Sequence, residues 1–73
     1  MERAILVVKA VDVGWALESS LSEALTFVSG AAAERAARAL AQRIAEMGTD
    51  VSINITDRAG HLVSVIHYYA AML

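Results

Sequence analysis

The sequence predicts an α+β fold of the order β-β-β-α-β-β, in which one five-stranded, mostly antiparallel sheet carries a single helix on one face. Two observations support this. Residues 31–47 contain neither Gly nor Pro and place apolar side chains at helical spacing. Five shorter segments, rich in β-branched residues, show the alternating or continuous apolar runs of strands. The links are short, and 73 residues suffice for one domain, so residues 1–73 are expected to form a single unit.

The first two strands differ in their apolar pattern. Residues 4–10 form a continuous apolar run, which is typical of a strand covered on both faces. Asp12 and Gly14 then interrupt the run. The second strand is predicted from Val13, because Val13, Trp15 and Leu17 alternate with smaller or polar residues and would share one apolar face.

A third strand is predicted over residues 23–28, where Leu25 and Phe27 flank Thr26. Trp15 and Phe27 are expected to pack beneath the helix, with Leu40 and Ile44 above them, and Val13 and Leu25 are expected to contribute to the same core. Because the links between the first three strands are short, these strands should form an antiparallel meander.

The helix has recognisable signals at both ends. Ser29 is expected to be its N-cap, accepting a hydrogen bond from an early backbone N–H, and Gly48 occupies the position of a left-handed C-cap. Glu34 precedes Arg38 by four residues, the favourable order for an ion pair on the outer face. The residues expected to face the sheet are Ala33, Ala37, Leu40, Ile44 and Met47.

The last third of the chain reads as a hairpin. Residues 51–56 alternate apolar and polar side chains, residues 57–60 supply a turn that ends in Gly, and residues 61–69 return as a strand that is apolar on both faces. A right-handed crossover through the helix would set the fourth strand parallel to the first. The expected strand order is therefore 3-2-1-4-5.

These landmarks, taken in order, resemble a bacterial family of small domains of unknown function, the one numbered 2188. The similarity lies in Trp15, Phe27, the Ala-rich helix, the Asp57–Gly60 turn and a tyrosine near the end, and it spans roughly residues 5–69. The resemblance implies the same fold and no particular activity.

Reactive constellations are missing from the sequence. There is no cysteine, which excludes disulfides and Cys-based zinc sites. His61 and His67 would lie about 20 Å apart in an extended strand, too far to share an ion. None of the serines occupies a Gly-x-Ser-x-Gly elbow, and each of the four glycines stands alone. We therefore expect no catalytic residue, no cofactor and no metal, and thus no enzyme.

Charge and hydropathy constrain the partners. A net charge of −2 weighs against nucleic acid. A nucleic-acid-binding module that uses the sheet or the Arg35/Arg38 helix face is kept as the alternative. No stretch approaches the roughly 20 apolar residues of a membrane span. With no signal segment and no cysteine, a cytoplasmic location is expected.

The strongest functional hint is a surplus of apolar residues, which make up 58% of the chain, against about 45–50% in typical domains. One helix covers only one sheet face, yet the first and last strands are apolar on both sides. Exposed apolar patches usually mark interfaces. The sequence therefore predicts a homodimer, with an unidentified protein partner as a further option. The expected interface is the uncovered sheet face with the C-terminal tail, and its expected residues are Val63, Val65, Tyr69 and Leu73.

Overall fold

The computed structural model describes residues 3–20 and 23–71. Among them, five strands and one helix follow the predicted order: β1 Ala4–Ala10, β2 Trp15–Ser19, β3 Leu25–Phe27, α1 Gly30–Glu46, β4 Val51–Thr56 and β5 Leu62–Tyr68. The strands form one sheet in the order β3-β2-β1-β4-β5. Strands β1 and β4 are parallel, and the other three pairings are antiparallel. The predicted fold class and strand order are confirmed.

Strand β1 lies in the interior of the sheet, as expected, but only one of its faces is covered. Ala4, Leu6 and Val8 are buried toward α1, whereas Ile5 on the opposite face is 47% exposed. The prediction of a strand covered on both faces is therefore wrong. A continuous apolar run is typical of a strand buried on both faces, but here no second layer of the described chain packs on the face opposite α1.

The ends of α1 follow the predicted caps. The Ser29 hydroxyl accepts a hydrogen bond from the Ala32 N–H at 3.1 Å, and Gly48 takes a positive φ of 98° just beyond the helix. The placement of Met47 on the core face is wrong, since Met47 is the C-cap and is 84% exposed. The helix ends before another turn could bring that side chain onto the sheet.

The core joins small helix residues to large strand residues. Ala33, Ala37 and Ala41 are fully buried at intervals of four, while Leu40 is only half-buried. Because the alanine side chain is small, the helix can approach the sheet closely. Larger side chains from the strands fill the space between helix and sheet, as close packing in protein interiors requires. The largest fully buried side chains come from the central strands: Leu6, Val8, Val51 and Ile53.

The edge near β3 is less buried than the sequence suggests. Val13 is 89% exposed in the turn before β2, and Leu25 on β3 is 52% exposed, so both predictions of core packing are wrong. Trp15 and Phe27 do pack against the core, although both are half-buried. The physical reason is the width of one helix, which packs mainly on β1, β2 and β4.

Candidate interaction surface

In the described part of the chain, strand β5 is one of the two edges of the sheet and pairs only with β4. Three of the four predicted interface residues are exposed there: Val63 by 60%, Val65 by 42% and Tyr69 by 72%. The fourth, Leu73, lies outside the described residues. Leu62, which sequence reasoning did not include, is 57% exposed as well. An apolar row therefore runs along this edge.

The backbone of β5 also has hydrogen-bonding groups that point away from the sheet. The Asp50 carbonyl accepts a hydrogen bond from β1 at 2.9 Å. Successive residues of a strand direct their backbone N–H and C=O groups to opposite sides, so those of Asp50 point toward β1 and those of Ile53, three residues later, point toward β5. The register partner of Ile53 on β5 is Ile66. The flanking residues Val65 and His67 therefore direct their N–H and C=O groups outward.

Strand β5 carries little of the usual protection of an edge strand. Its seven residues, Leu-Val-Ser-Val-Ile-His-Tyr, include no Pro and no Asp, Glu, Lys or Arg. Native edge strands are commonly short, or carry Lys or Pro, because unpaired strands recruit other chains. The opposite edge, β3, has only three residues. A register shift near Ile55 and Thr56 interrupts β5 at one end only. Strand β5 is therefore the edge most available for pairing.

The sheet face that points away from α1, here called the open face, has a mixed character. Apolar Ile5 and Val7 on β1 are separated from Val65 on β5 by a polar row on β4. That row consists of Ser52, Asn54 and Thr56. An ion pair between Lys9 and Glu18, 2.9 Å long, lies on the same face. The open face is thus less apolar than the β5 edge.

A small polar cluster occupies one end of the open face. Ser52 is only 5% exposed, and its hydroxyl lies 3.1 Å from His67 Nδ1 and accepts from Arg3 Nη1 at 3.4 Å. A Ser–His contact can activate a nucleophile. Here, however, Ser52 is nearly buried on an interior strand between β1 and β5, so its hydroxyl is poorly placed to meet a substrate. The contact therefore fixes the His67 ring, which also stacks on Tyr69 with ring centroids 6.2 Å apart.

Some of the features that would serve nucleic-acid binding are engaged within the chain. Arg38 donates to Glu34 Oε1 at 3.0 Å, and this bond is the main cause of the raised pKa of Arg38. Arg35 is exposed on the outer helix face. Trp15 and Phe27 face the core, so neither offers a free ring for base stacking.

Two further features of the described chain bear on ligands. Within residues 3–20 and 23–71, no three His, Cys, Asp or Glu side chains are grouped closely enough to hold a metal ion. His61 lies in the turn before β5, 3.7 Å from Asp57, with its side chain 80% exposed.

In the same part of the chain, no helix is long and apolar enough to cross a membrane.

Comparisons with family models, with curated proteins and with solved structures found no match. The similarity to the family numbered 2188 therefore stays a prediction. With no relative to assign a role, the geometry of β5 is the main guide to function.

Proposed function

We propose that this chain is a small, non-enzymatic interaction module of the cytoplasm that works as a homodimer, with β5 and the C-terminal tail as its interface. One observation carries the proposal. Strand β5 is a seven-residue edge without charge or proline, and the apolar side chains of Leu62, Val63 and Val65, with Tyr69 just beyond the strand, are between 42% and 72% exposed. Each Å² of apolar surface left in water forgoes about 25 cal/mol of stabilisation.

A second copy of the chain suits this edge. The strand carries no fixed charge, so two copies can lie side by side without like-charge repulsion. A two-fold arrangement uses the same patch on both partners and therefore closes, whereas other self-contacts would continue into a filament. Pairing would also satisfy the outward backbone groups of Val65 and His67, which otherwise remain open to any extended chain.

Dimerisation would also support a fold of modest size. At about 0.05–0.15 kcal/mol per residue, 73 residues correspond to about 4–11 kcal/mol of unfolding free energy. Burial of a whole valine side chain contributes about 1.5–3 kcal/mol, and Val63 and Val65 are roughly half exposed. Covering these two side chains in both copies is therefore a substantial gain on the scale of the whole fold.

The proposal is tested by one charged substitution with a matched control. Val65→Lys places two cations beside the seam, so we expect a dimer that weakens by at least tenfold while the helical circular dichroism stays unchanged. Val13→Lys makes the same chemical change in the exposed turn before β2 and should leave the dimer intact. Sedimentation velocity over a concentration series measures both.

A monomeric wild-type chain at high micromolar concentration would overturn the proposal. An apolar edge without a second copy would then indicate a different protein partner. An equal loss of association in the Val13→Lys and Val65→Lys variants would also contradict it, because it would show that the edge is not the interface.

Removal of the tail is a less specific test. A chain shortened after His67 loses Tyr68, which packs on the core. It also loses two backbone hydrogen bonds, from Ala70 to Asp50 Oδ1 at 2.8 Å and from Ala71 to the Ala45 carbonyl at 2.9 Å. We therefore expect truncation to destabilise the isolated chain whether or not it dimerises. Part of the tail is held by its own chain, and the point substitution on β5 is the cleaner probe.

A further inference from the structure

Two modes of self-association are open to this molecule, face to face and edge to edge. Face-to-face packing would bury the polar row of β4 and the Lys9–Glu18 ion pair, in which the side chains are 42% and 44% exposed. Buried polar groups that lack partners cost free energy. Edge-to-edge pairing leaves these groups in water and gives partners to backbone groups that have none within the sheet.

We infer that β5 pairs antiparallel with β5 of a second copy, with the two-fold axis beside Ile66, so that two five-stranded sheets join into one continuous sheet. This inference rests on the proposed homodimer and adds how its copies meet.

The position of the axis follows from the direction of the backbone groups. The backbone N–H and C=O groups of Val65 and His67 point outward from the sheet, and those of Ile66 between them point inward to β4. The register with β4 is constant from Ser64 to Tyr68, and Ile66 is the midpoint of that stretch. With the axis there, Val65 lies opposite His67 of the second copy, and the two residues exchange both backbone hydrogen bonds. By symmetry, His67 of the first copy pairs in the same way with Val65 of the second.

The side chains fit this register. Counted outward from the regular stretch of Ser64 to Tyr68, Val63 would fall opposite Tyr69 of the second copy, a β-branched residue against an aromatic ring, which is a favourable cross-strand combination. The pairing sets no two charged side chains against each other, because β5 has no Asp, Glu, Lys or Arg. Three of the four predicted interface residues thus take part in direct cross-strand pairs.

Engineered cysteines report this register, since the described chain has no native cysteine to compete. Residues directly opposite in a hydrogen-bonded pair have Cα atoms about 5.5 Å apart, within the range of a disulfide. Val65 would be displaced from Val65 of the second copy by two residues, about 7 Å along the strand, too far for an unstrained bond. Mixed pairs should therefore form where self-pairs do not.

The experiment mixes the Val65→Cys and His67→Cys variants in a glutathione redox buffer, and mass spectrometry separates mixed from self-linked dimers. We expect the mixed disulfide to exceed either self-linked product by at least fivefold. A second mixture, Val63→Cys with Tyr69→Cys, should behave alike, and it keeps the test valid if one variant of the first mixture folds poorly. Ile5→Cys on the open face is the control and should stay reduced.

Each contrary outcome has a separate meaning. A self-linked Ile5→Cys dimer, with wild-type dimer mass unchanged, would overturn edge pairing and leave the homodimer standing. Dominant self-linkage of Val65→Cys would overturn the axis at Ile66. A wild-type chain without any dimer would instead refute the proposed function itself, on which this inference depends.

Discussion

Gly14 offers the sharpest test of the packing around β3. Its φ is 96°, a conformation that L side chains rarely adopt, and a Cβ built on it would lie 2.3 Å from the Phe27 carbonyl oxygen. Because that oxygen belongs to the backbone of β3, no side-chain rotation relieves the contact. The Gly14→Ala variant must therefore shift the β1–β2 turn, β3, or both.

The expected cost has two parts. A left-handed backbone costs an L residue about 1–2 kcal/mol, and forced overpacking adds about 1–3 kcal/mol. The sum of about 2–5 kcal/mol is a large fraction of the about 4–11 kcal/mol expected for a 73-residue fold. We therefore expect Gly14→Ala to be partly unfolded or close to it at room temperature.

Variants of two other glycines separate the cost of the left-handed backbone from the cost of overpacking. Gly48 and Gly60 have φ values of 98° and 85°, yet a Cβ on either meets nothing within 4 Å. Their Ala variants should lose only the backbone part, about 1–2 kcal/mol. Urea unfolding followed by circular dichroism measures all three, and with m near 1 kcal/mol/M the extra cost at Gly14 should lower the midpoint by about 1–3 M more. Equal midpoints for Gly14→Ala and Gly60→Ala would refute the close approach of β3.

The remaining predictions concern α1 and use the same assay. Ser29→Ala removes the hydroxyl that accepts from Ala32 and should cost about 1 kcal/mol, whereas Ser29→Asp keeps an acceptor and should cost far less; an equal loss in both would contradict capping. Ala37→Leu places a larger side chain on the fully buried face of the helix and should cost about 1–3 kcal/mol. Ala39→Leu makes the same change on an exposed position and should be nearly neutral, so similar losses would show that α1 is not closely packed there.

The helix and the strand order were predictable because their signals are local or nearly so. A cap needs only Ser29 and the turn that follows it, and a C-terminal glycine needs only its own φ. The handedness of crossovers then restricts where β4 can lie relative to β1. The order of the five strands also needed the apolar run of β1, from which an interior position was expected, and the short links that join the first three strands.

The burial of individual apolar residues was less predictable, because it depends on where the helix ends over the sheet. Val13, Leu25 and Met47 all have the right period for a core position and are nevertheless exposed. Periodicity identifies the face on which a residue lies, but not whether another element reaches that face.

The contact between Ser52 and His67 depends on the β4–β5 register. The bulge near Val63 shifts that register by one residue, and no local sequence signal locates the bulge.

The Ala-rich helix links the fold to the proposed assembly. The buried residues of α1 are alanines except for Ile44, and the helix packs mainly on the central strands and contacts β5 least of all. Strand β5 therefore contributes Ile66 and Tyr68 to the margin of the core, while its alternate residues face water. Pairing of β5 with a second copy would hold the strand from its free side and so hold these two residues in the core. We accordingly expect unfolding and dissociation to be linked, with a midpoint that rises as protein concentration rises. A thermal midpoint that does not change between about 5 and 500 μM chain, in a protein shown to be dimeric, would contradict this coupling.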